Sequence, residues 1–208
     1  MKIILLGAPN SGKGTLSAKL AEDYGFIGVS TGELLRKEVA SGSELGKKID
    51  KLISAGNLVD SQTVIALMNN FISTLPKNAN IMFDGFPRTI EQAQLLQNIA
   101  AINAVLFLNV SEQKILERAL GRISCKNCGT IYSRAWYSKN TCEKCGGEIV
   151  VRSDDTEEAV KKRIEVYKTS TMPLIEYYKK ENLLFEIDAN GTVDDTLVQA
   201  KAILEKLN

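Results

Sequence analysis

GAPNSGKGT, residues 7–15, packs three glycines and one lysine into a short stretch. It follows the apolar run Ile3–Leu6 and leads into Lys13–Tyr24, where apolar residues recur at helical spacing. A strand, a glycine loop and a helix in that order form an anion site. Amides of the loop and of the first helical turn converge, and glycine lets the main chain come close. Lys13 can then reach the outer phosphates of a nucleotide. Gly7, four residues, then Gly12-Lys13 matches the phosphate-loop spacing, although Gly14 follows the lysine and the hydroxyl comes one later, at Thr15. The plain alternative is a glycine-rich turn with an exposed lysine.

Apolar runs without alternation recur at Lys2–Leu6, Ile27–Val29, Ile81–Phe83, Ala104–Val110 and Leu183–Ile187. Such runs read as strands buried on both faces. Helical patterns at Lys13–Tyr24, Ser61–Thr74, Ile90–Ile99, Glu112–Leu120, Glu157–Lys180 and Val193–Leu207 intervene. The alternation predicts an α/β fold of three layers, a five-stranded parallel sheet between helices. Thr89 and Ser111 are expected N-caps, with Thr89 and Gln92 forming a capping box. Pro173 lies inside the long helical pattern, so a kink or break is expected near Thr171. Two stretches interrupt the alternation. Ser30–Asp60 reads as a small helical insertion, and Arg122 to about Glu158, rich in Gly, Cys, Thr and Tyr, as a small β insertion.

The composition excludes several chemistries. The chain has 208 residues, 44% hydrophobic and 25% charged, enough for a sizeable core. With a net charge of +1, no global field recruits nucleic acid or an anionic membrane. It contains no histidine, so Ser-His and Cys-His nucleophiles and imidazole acid–base catalysis are out. No apolar run approaches a membrane span or a signal-peptide core, and a cytoplasmic location is expected. Seven arginines stand against nineteen lysines, and six of them (Arg36, Arg88, Arg118, Arg122, Arg152 and Arg163) lie in or beside the segments singled out here. Arginine's rigid fork suits bidentate phosphate binding; chance and surface ion pairs are the other reading.

Asp84 ends the strand IMFD. A carboxylate at the carboxyl end of a strand beside the phosphate loop could hold Mg²⁺, directly or through water; alternatively it is a turn aspartate before Gly85. Cys125-x2-Cys128 and Cys142-x2-Cys145 flank thirteen residues. That spacing predicts a four-thiolate structural zinc site, with Gly129 and Gly146 turning each knuckle. Iron in the same site, or redox CxxC pairs, remain alternatives. A segment of about thirty-five residues cannot bury enough apolar surface alone, so a metal would supply the missing stability. Between Arg122 and Arg152 six basic residues face two acidic ones, with Tyr132, Trp136 and Tyr137 interleaved. In isolation this suits a ribbon that grips nucleic acid; beside a phosphate loop it suits a flap closing over ATP.

Together GAPNSGKGT, STGELLR (Ser30–Arg36), AGNLV (Ala55–Val59), DGFPRT (Asp84–Thr89) with Gln92, LGRI (Leu120–Ile123), RSDD (Arg152–Asp155) and Arg163 resemble the adenylate kinase family over essentially the whole chain. The form resembled is the long one with a metal-binding lid. The resemblance implies Mg²⁺-dependent transfer of the ATP γ-phosphoryl to AMP. It implies a core of residues 1–29, 60–121 and 159–208, an NMP-binding insertion at 30–59 and a zinc-binding lid at 122–158. It also implies a role for each site residue. Asn10, Ser11, Gly12, Lys13, Gly14 and Thr15 hold the ATP phosphates. Arg122, Arg152 and Arg163 clamp the transferring phosphoryl, the last two also meeting AMP. Arg118 lies against the ATP adenine, with Ile131, Tyr132 and Gly191 nearby. Arg36 and Arg88 hold the AMP phosphate. Thr31, Asn57, Leu58, Val59, Gly85, Phe86, Pro87 and Gln92 line the rest of the AMP site. Asp154 and Asp155 orient lid arginines. The acceptor is already an anion, so no general base is required, which suits a chain without histidine.

Gln92 can pair with an adenine edge, and with Thr31 points to AMP rather than UMP or CMP. Two departures stand out. The family usually has glycine where this chain has Asn10, and glutamine where it has Leu16. Asn10 is expected to adopt a left-handed conformation. The two insertions are expected to move against the core and exclude water from the phosphoryl group. A monomer is expected, since no coiled coil or large apolar stretch is visible.

Overall fold

The computed structural model describes residues 1–152 and 155–207. Strands β1 (Lys2–Gly7), β2 (Ile27–Ser30), β3 (Ile81–Asp84), β4 (Ala104–Asn109) and β8 (Leu184–Asp188) form one sheet in the order β2-β3-β1-β4-β8. Every pairing in it is parallel. Central β1 reads as an unbroken apolar run because both faces are covered. Ile4 and Leu6 face one core with Val29, Phe83 and Val105, while Ile3 and Leu5 face another with Met82, Leu106 and Ile187.

Helices α1 (Lys13–Tyr24) and α9 (Val193–Glu205) close the second core through Leu16, Leu20, Leu197, Ala200 and Leu204. The first is covered by α2 (Thr31–Ala40), α3 (Glu44–Ser54), α4 (Ser61–Ile72), α5 (Ile90–Gln97) and α8 (Pro173–Lys180), through residues such as Leu35, Ile49, Met68, Leu96 and Leu174. Leu16, 1% exposed, thus serves as core.

The expected break near Thr171 takes a defined form. Helix α7 (Glu157–Val166) runs into a π-helical turn, Tyr167–Thr171, before Pro173 starts α8. Proline at the first helical position gives up an amide that has no helical partner there anyway. The helical insertion is α2 and α3. The β insertion follows α6 (Glu112–Gly121) and is a small antiparallel sheet of β5 (Arg122–Cys125), β6 (Ile131–Ser133) and β7 (Ile149–Val150), in the order β6-β5-β7.

From β1 the chain builds β2 and β3 on one side, then crosses to β4 on the other. The carboxyl end of β1 is therefore the topological switch point where such sheets bind ligands. The phosphate loop leaves β1 there. Asn10 has φ 61°, the expected left-handed conformation, and Gly12 has φ 101°. Helices α2 to α7 each begin with a side-chain cap, from Ser30, Ser43, Asp60, Thr89, Ser111 and Thr156, whereas α1 begins on Gly12 with none.

One cap differs from expectation. Thr89 Oγ1 accepts from the Gln92 amide at 3.2 Å, but Gln92 Oε1 accepts from the Arg88 amide at 2.8 Å rather than from Thr89. The capping box is therefore only half formed, because the glutamine reaches one residue further back.

Both polar atoms of the Asn10 carboxamide are buried and, among the described residues, without a hydrogen-bond partner. Asn10→Gly removes that orphaned amide and the left-handed side-chain strain together, at the cost of glycine's chain entropy. We expect the variant to be more stable by about 1 kcal/mol. Thermal denaturation checks the sign, which is opposite to that of a glycine placed in an ordinary loop.

Candidate active site

A cleft of about 920 Å³ opens at the carboxyl end of β1, between the core and the two insertions. The loop Asn10–Thr15, Arg36, Leu58, Asp84, Gly85, Pro87, Arg88, Arg118, Arg122, Ile131, Tyr132, Arg152, Arg163 and Gly191 line it. Val59 and Gln92 line a neighbouring groove of about 500 Å³, which shares Leu58 with the cleft. Phe86 is core, 1% exposed. Thr31 is buried and donates to the Gly85 carbonyl at 2.9 Å. Asn57 is exposed and its side chain joins neither hollow. Asp154 lies outside the described residues.

Lys13 lies across its own loop. Its Nζ donates to the carbonyls of Gly7 at 2.9 Å and Ala8 at 2.7 Å, and to Ser11 Oγ at 3.3 Å. Burial lowers its pKa to about 8, with Asp84 opposing and Arg88, Arg163 and Arg122 adding to the fall. Asp84 responds in the opposite sense. Burial pushes its carboxyl up, Lys13 and Arg88 pull it down, and Glu33 pushes it up again. A buried carboxylate that burial disfavours, with a second carboxylate close by, is a fitting donor for a hard divalent cation.

Five of the six cleft arginines, Arg88, Arg118, Arg122, Arg152 and Arg163, donate to acceptors of the chain. Arg122 makes a two-pronged pair with Asp155, through Nε at 2.8 Å and through Nη2, and Arg163 reaches the same carboxylate at 3.2 Å. Burial pushes the Asp155 carboxyl up, yet Arg122 with Arg163 and Arg152 holds it below its ordinary range. Arg152 Nε donates to Ser124 Oγ at 3.3 Å. Arg118 donates to the carbonyls of Ser11 at 3.1 Å, Ala189 at 2.8 Å and Gly191 at 3.3 Å. Three of its N–H donors are taken by the main chain. Gly191 thereby contributes a carbonyl to Arg118. The seventh arginine, Arg134, braces the lid through Lys139 O and Asn140 Oδ1, both at 3.2 Å.

Some cleft residues were not anticipated. Glu33 lies in the first turn of α2, and Trp136 is two-thirds exposed in the lid. Trp136 is legible as an aromatic with no core to join; Glu33 looks like an ordinary helix-start acid. Tyr132 turns inward. Its ring stacks on Tyr137 at 4.1 Å between centroids, and its hydroxyl lies 3.2 Å from Cys142 Sγ.

The four cysteine sulfurs lie within 4.8 Å of one another. Cys125 to Cys145 is 3.5 Å and Cys128 to Cys142 is 3.6 Å, close to the roughly 3.8 Å edge of a zinc–thiolate tetrahedron. Each knuckle closes with a glycine amide on a cysteine carbonyl, Gly129 to Cys125 at 3.0 Å and Gly146 to Cys142 at 2.8 Å. Both glycines are left-handed, φ 72° and 71°. Cys145, despite the Gly147 amide, is pushed up to about 12 by its neighbours Cys128 and Cys125, whereas the Thr130 hydroxyl and amide lower the Cys128 thiol to about 6 and the Tyr132 hydroxyl lowers Cys142. Hydrogen bonds of this kind stabilise thiolates, the form that binds metal.

Residues 5–183 match the model of the family described as adenylate kinase. The chain is 38% identical to an adenylate kinase of Archaeoglobus fulgidus, over 100% of this chain and 99% of the relative. It is 38% identical to one of Thermodesulfovibrio yellowstonii, over 99% and 100%. A third, from Caldicellulosiruptor saccharolyticus, is 40% identical over 100% and 99%. No helix among the described residues is long and apolar enough to cross a membrane.

The lid's apolar cluster is only Ile123, Cys125, Tyr132, Tyr137, Cys142 and Ile149, too small to hold a fold unaided. Metal analysis is expected to find one zinc per chain. A strong chelator is expected to abolish the near-ultraviolet signal of Trp136 and its neighbours while the main sheet survives. Retention of that signal after complete metal removal would show that the thiols are dispensable.

Proposed function

The chain belongs to the adenylate kinase family, and we propose how its residues divide the work of that chemistry. It is a phosphotransferase that moves the γ-phosphoryl of ATP to AMP, reversibly and with Mg²⁺, giving two ADP. The difficulty is electrostatic, since two anions must meet. The observation that carries the assignment is the convergence of Lys13 and six arginines on one cleft at the end of β1.

The loop amides and Lys13 hold the ATP phosphates, and the face of Arg118 takes the adenine. Among the described residues no acceptor of the chain meets the amides of Gly12, Lys13 and Gly14, which lie at the uncapped start of α1. Arg36 and Arg88 hold the AMP phosphate. Arg122, Arg152 and Arg163 reach the transferring group, with Asp155 aligning two of them. Asp84, with Glu33 close by, would hold Mg²⁺, which supplies charge neutralisation between the phosphates when bound. The cysteines would hold zinc, which supplies structure alone. The proposed division is core 1–29, 60–121 and 159–208, NMP-binding insertion 30–59 and lid 122–158. The insertions approach each other over the cleft, where a methyl group on Gly129 would lie 3.7 Å from Glu33 Oε1.

Gln92 supports AMP as the acceptor. Its Oε1 is taken by the Arg88 amide, which fixes the flip of the carboxamide and presents the NH₂ group at the other end. A donor there favours a base edge with a ring-nitrogen acceptor, as adenine has, over the ring N–H of uracil or guanine.

Lys13→Met is expected to lower kcat by about 10²–10³-fold, as loss of a charge-stabilising group does, with an unchanged circular dichroism spectrum. Assays of ATP with AMP, UMP and CMP are expected to show AMP strongly preferred. Full turnover in the Lys13 variant, or preference for a pyrimidine, contradicts the assignment.

Lys13 also predicts a pH dependence. Its folded pKa, about 8, lies below the ordinary 10.5. The folded chain carries the cost of the buried ammonium below pH 8 and sheds it as pH rises from there toward 10.5. Phosphate oxygens reverse the shift. Binding of MgATP at pH 8 is therefore expected to take up about half a proton, and close to none near pH 6.5. Calorimetry in two buffers of different ionisation heat measures this. Equal heats at pH 8 would remove Lys13 from the phosphate site.

A further inference from the structure

The π-helical turn Tyr167–Thr171 interrupts a helix that would otherwise run from Glu157 toward Pro173. Its closing bond joins the Met172 amide to the Tyr167 carbonyl at 2.9 Å, one residue wider than an α-helical bond. One extra residue in a turn rotates the downstream helix by about 100°, and such turns gather at functional sites. Here the rotation carries a polar side chain inward. Thr171 is 6% exposed, lines the cleft, and its hydroxyl donates to the Arg88 carbonyl at 2.9 Å across 83 positions of sequence.

Arg88 is consequently gripped at both ends of its main chain. Its amide donates to Gln92 Oε1 at 2.8 Å, from α5, and its carbonyl accepts from Thr171, from the π turn. The guanidinium is fixed as well, through Nε to the Gly85 carbonyl at 2.8 Å, an oxygen that also takes the Thr31 hydroxyl at 2.9 Å. A long side chain turns a small tilt of its peptide into a larger displacement at its tip. The element that supplies Thr171 is continuous with α7, which carries Arg163.

The geometry points to Thr171 as a positioning residue for Arg88. Its hydroxyl ties the π turn, and through it the helix bearing Arg163, to the loop that aims Arg88 at the acceptor phosphate. The two cations on either side of the transferring group are thereby set in one frame. The inference rests on the assignment of Arg88 to the AMP phosphate. A buried carbonyl merely satisfied by a packing threonine would matter for stability alone, and the two cases differ in what they do to each substrate.

Thr171→Val keeps the shape and removes the donor; Thr171→Ser keeps the donor. For the valine variant KM for AMP is expected to rise and kcat to fall, by about tenfold in kcat/KM, the size of one hydrogen bond lost from a buried acceptor. KM for ATP is expected to stay within about twofold, and the serine variant to recover the parent values. Thr171→Ala replaces the valine variant if that chain does not fold. Unchanged AMP kinetics in the donor-less variant overturn the inference, as does an equal loss for both nucleotides that serine fails to rescue. Arg88→Ala, assayed alongside, separates the two levels. If it raises KM for AMP while the Thr171 variants are silent, the inference alone fails. If it leaves AMP binding intact, the assignment of Arg88 fails and the inference falls with it.

Discussion

Repulsion among its own cations is the constraint that this site answers. Lys13 and six arginines line one cleft, and side by side they would drive the walls apart. The chain supplies a partner for charge after charge. The carbonyls of Gly7 and Ala8 take Lys13, three more carbonyls take Arg118, Asp155 takes Arg122 and Arg163 together, and the Gly85 carbonyl takes Arg88. Most of these acceptors are neutral main-chain oxygens. They hold each cation in place without cancelling its charge, so the field remains for phosphate. Among the acceptors just named, Asp155 brings a full negative charge, and two arginines share it. Pre-positioned charge of this kind needs no reorganisation when the reacting group arrives.

Much of this was legible because it rests on local chemistry. Strands buried on both faces have to be apolar throughout, so Ile3–Leu6 and Ala104–Leu108 declare themselves. Paired cysteines at knuckle spacing also announce that four sulfurs meet, and they lie within 4.8 Å of one another. The left-handed turn at Asn10 followed from residue type, because asparagine is among the few side chains that tolerate it. Pro173 likewise announced a break.

What sequence spacing could not convey were contacts between distant segments. That Gln92 would bond to the Arg88 amide rather than complete a cap depends on how the loop before α5 is held by Thr171, 83 positions away from Arg88. That Pro173 would produce a π turn rather than a simple kink depends on what the rotated residue finds to bond with. Tyr132 shows the same limit. An aromatic in a basic flap suggests a stacking surface, but the lid has so little apolar matter that the Tyr132 ring is drafted largely into its interior and lines the cleft beside the more exposed Trp136. Leu16, polar in relatives by expectation, is simply one more core leucine.

The tether of Arg118 to Ala189 and Gly191 has a consequence for local loosening. Those carbonyls follow β8, an edge strand paired to β4, rather than one of the central strands. Edges fray more readily than the middle of a sheet. Fraying there would release the guanidinium from two of its three carbonyls while the strands around β1 stayed paired.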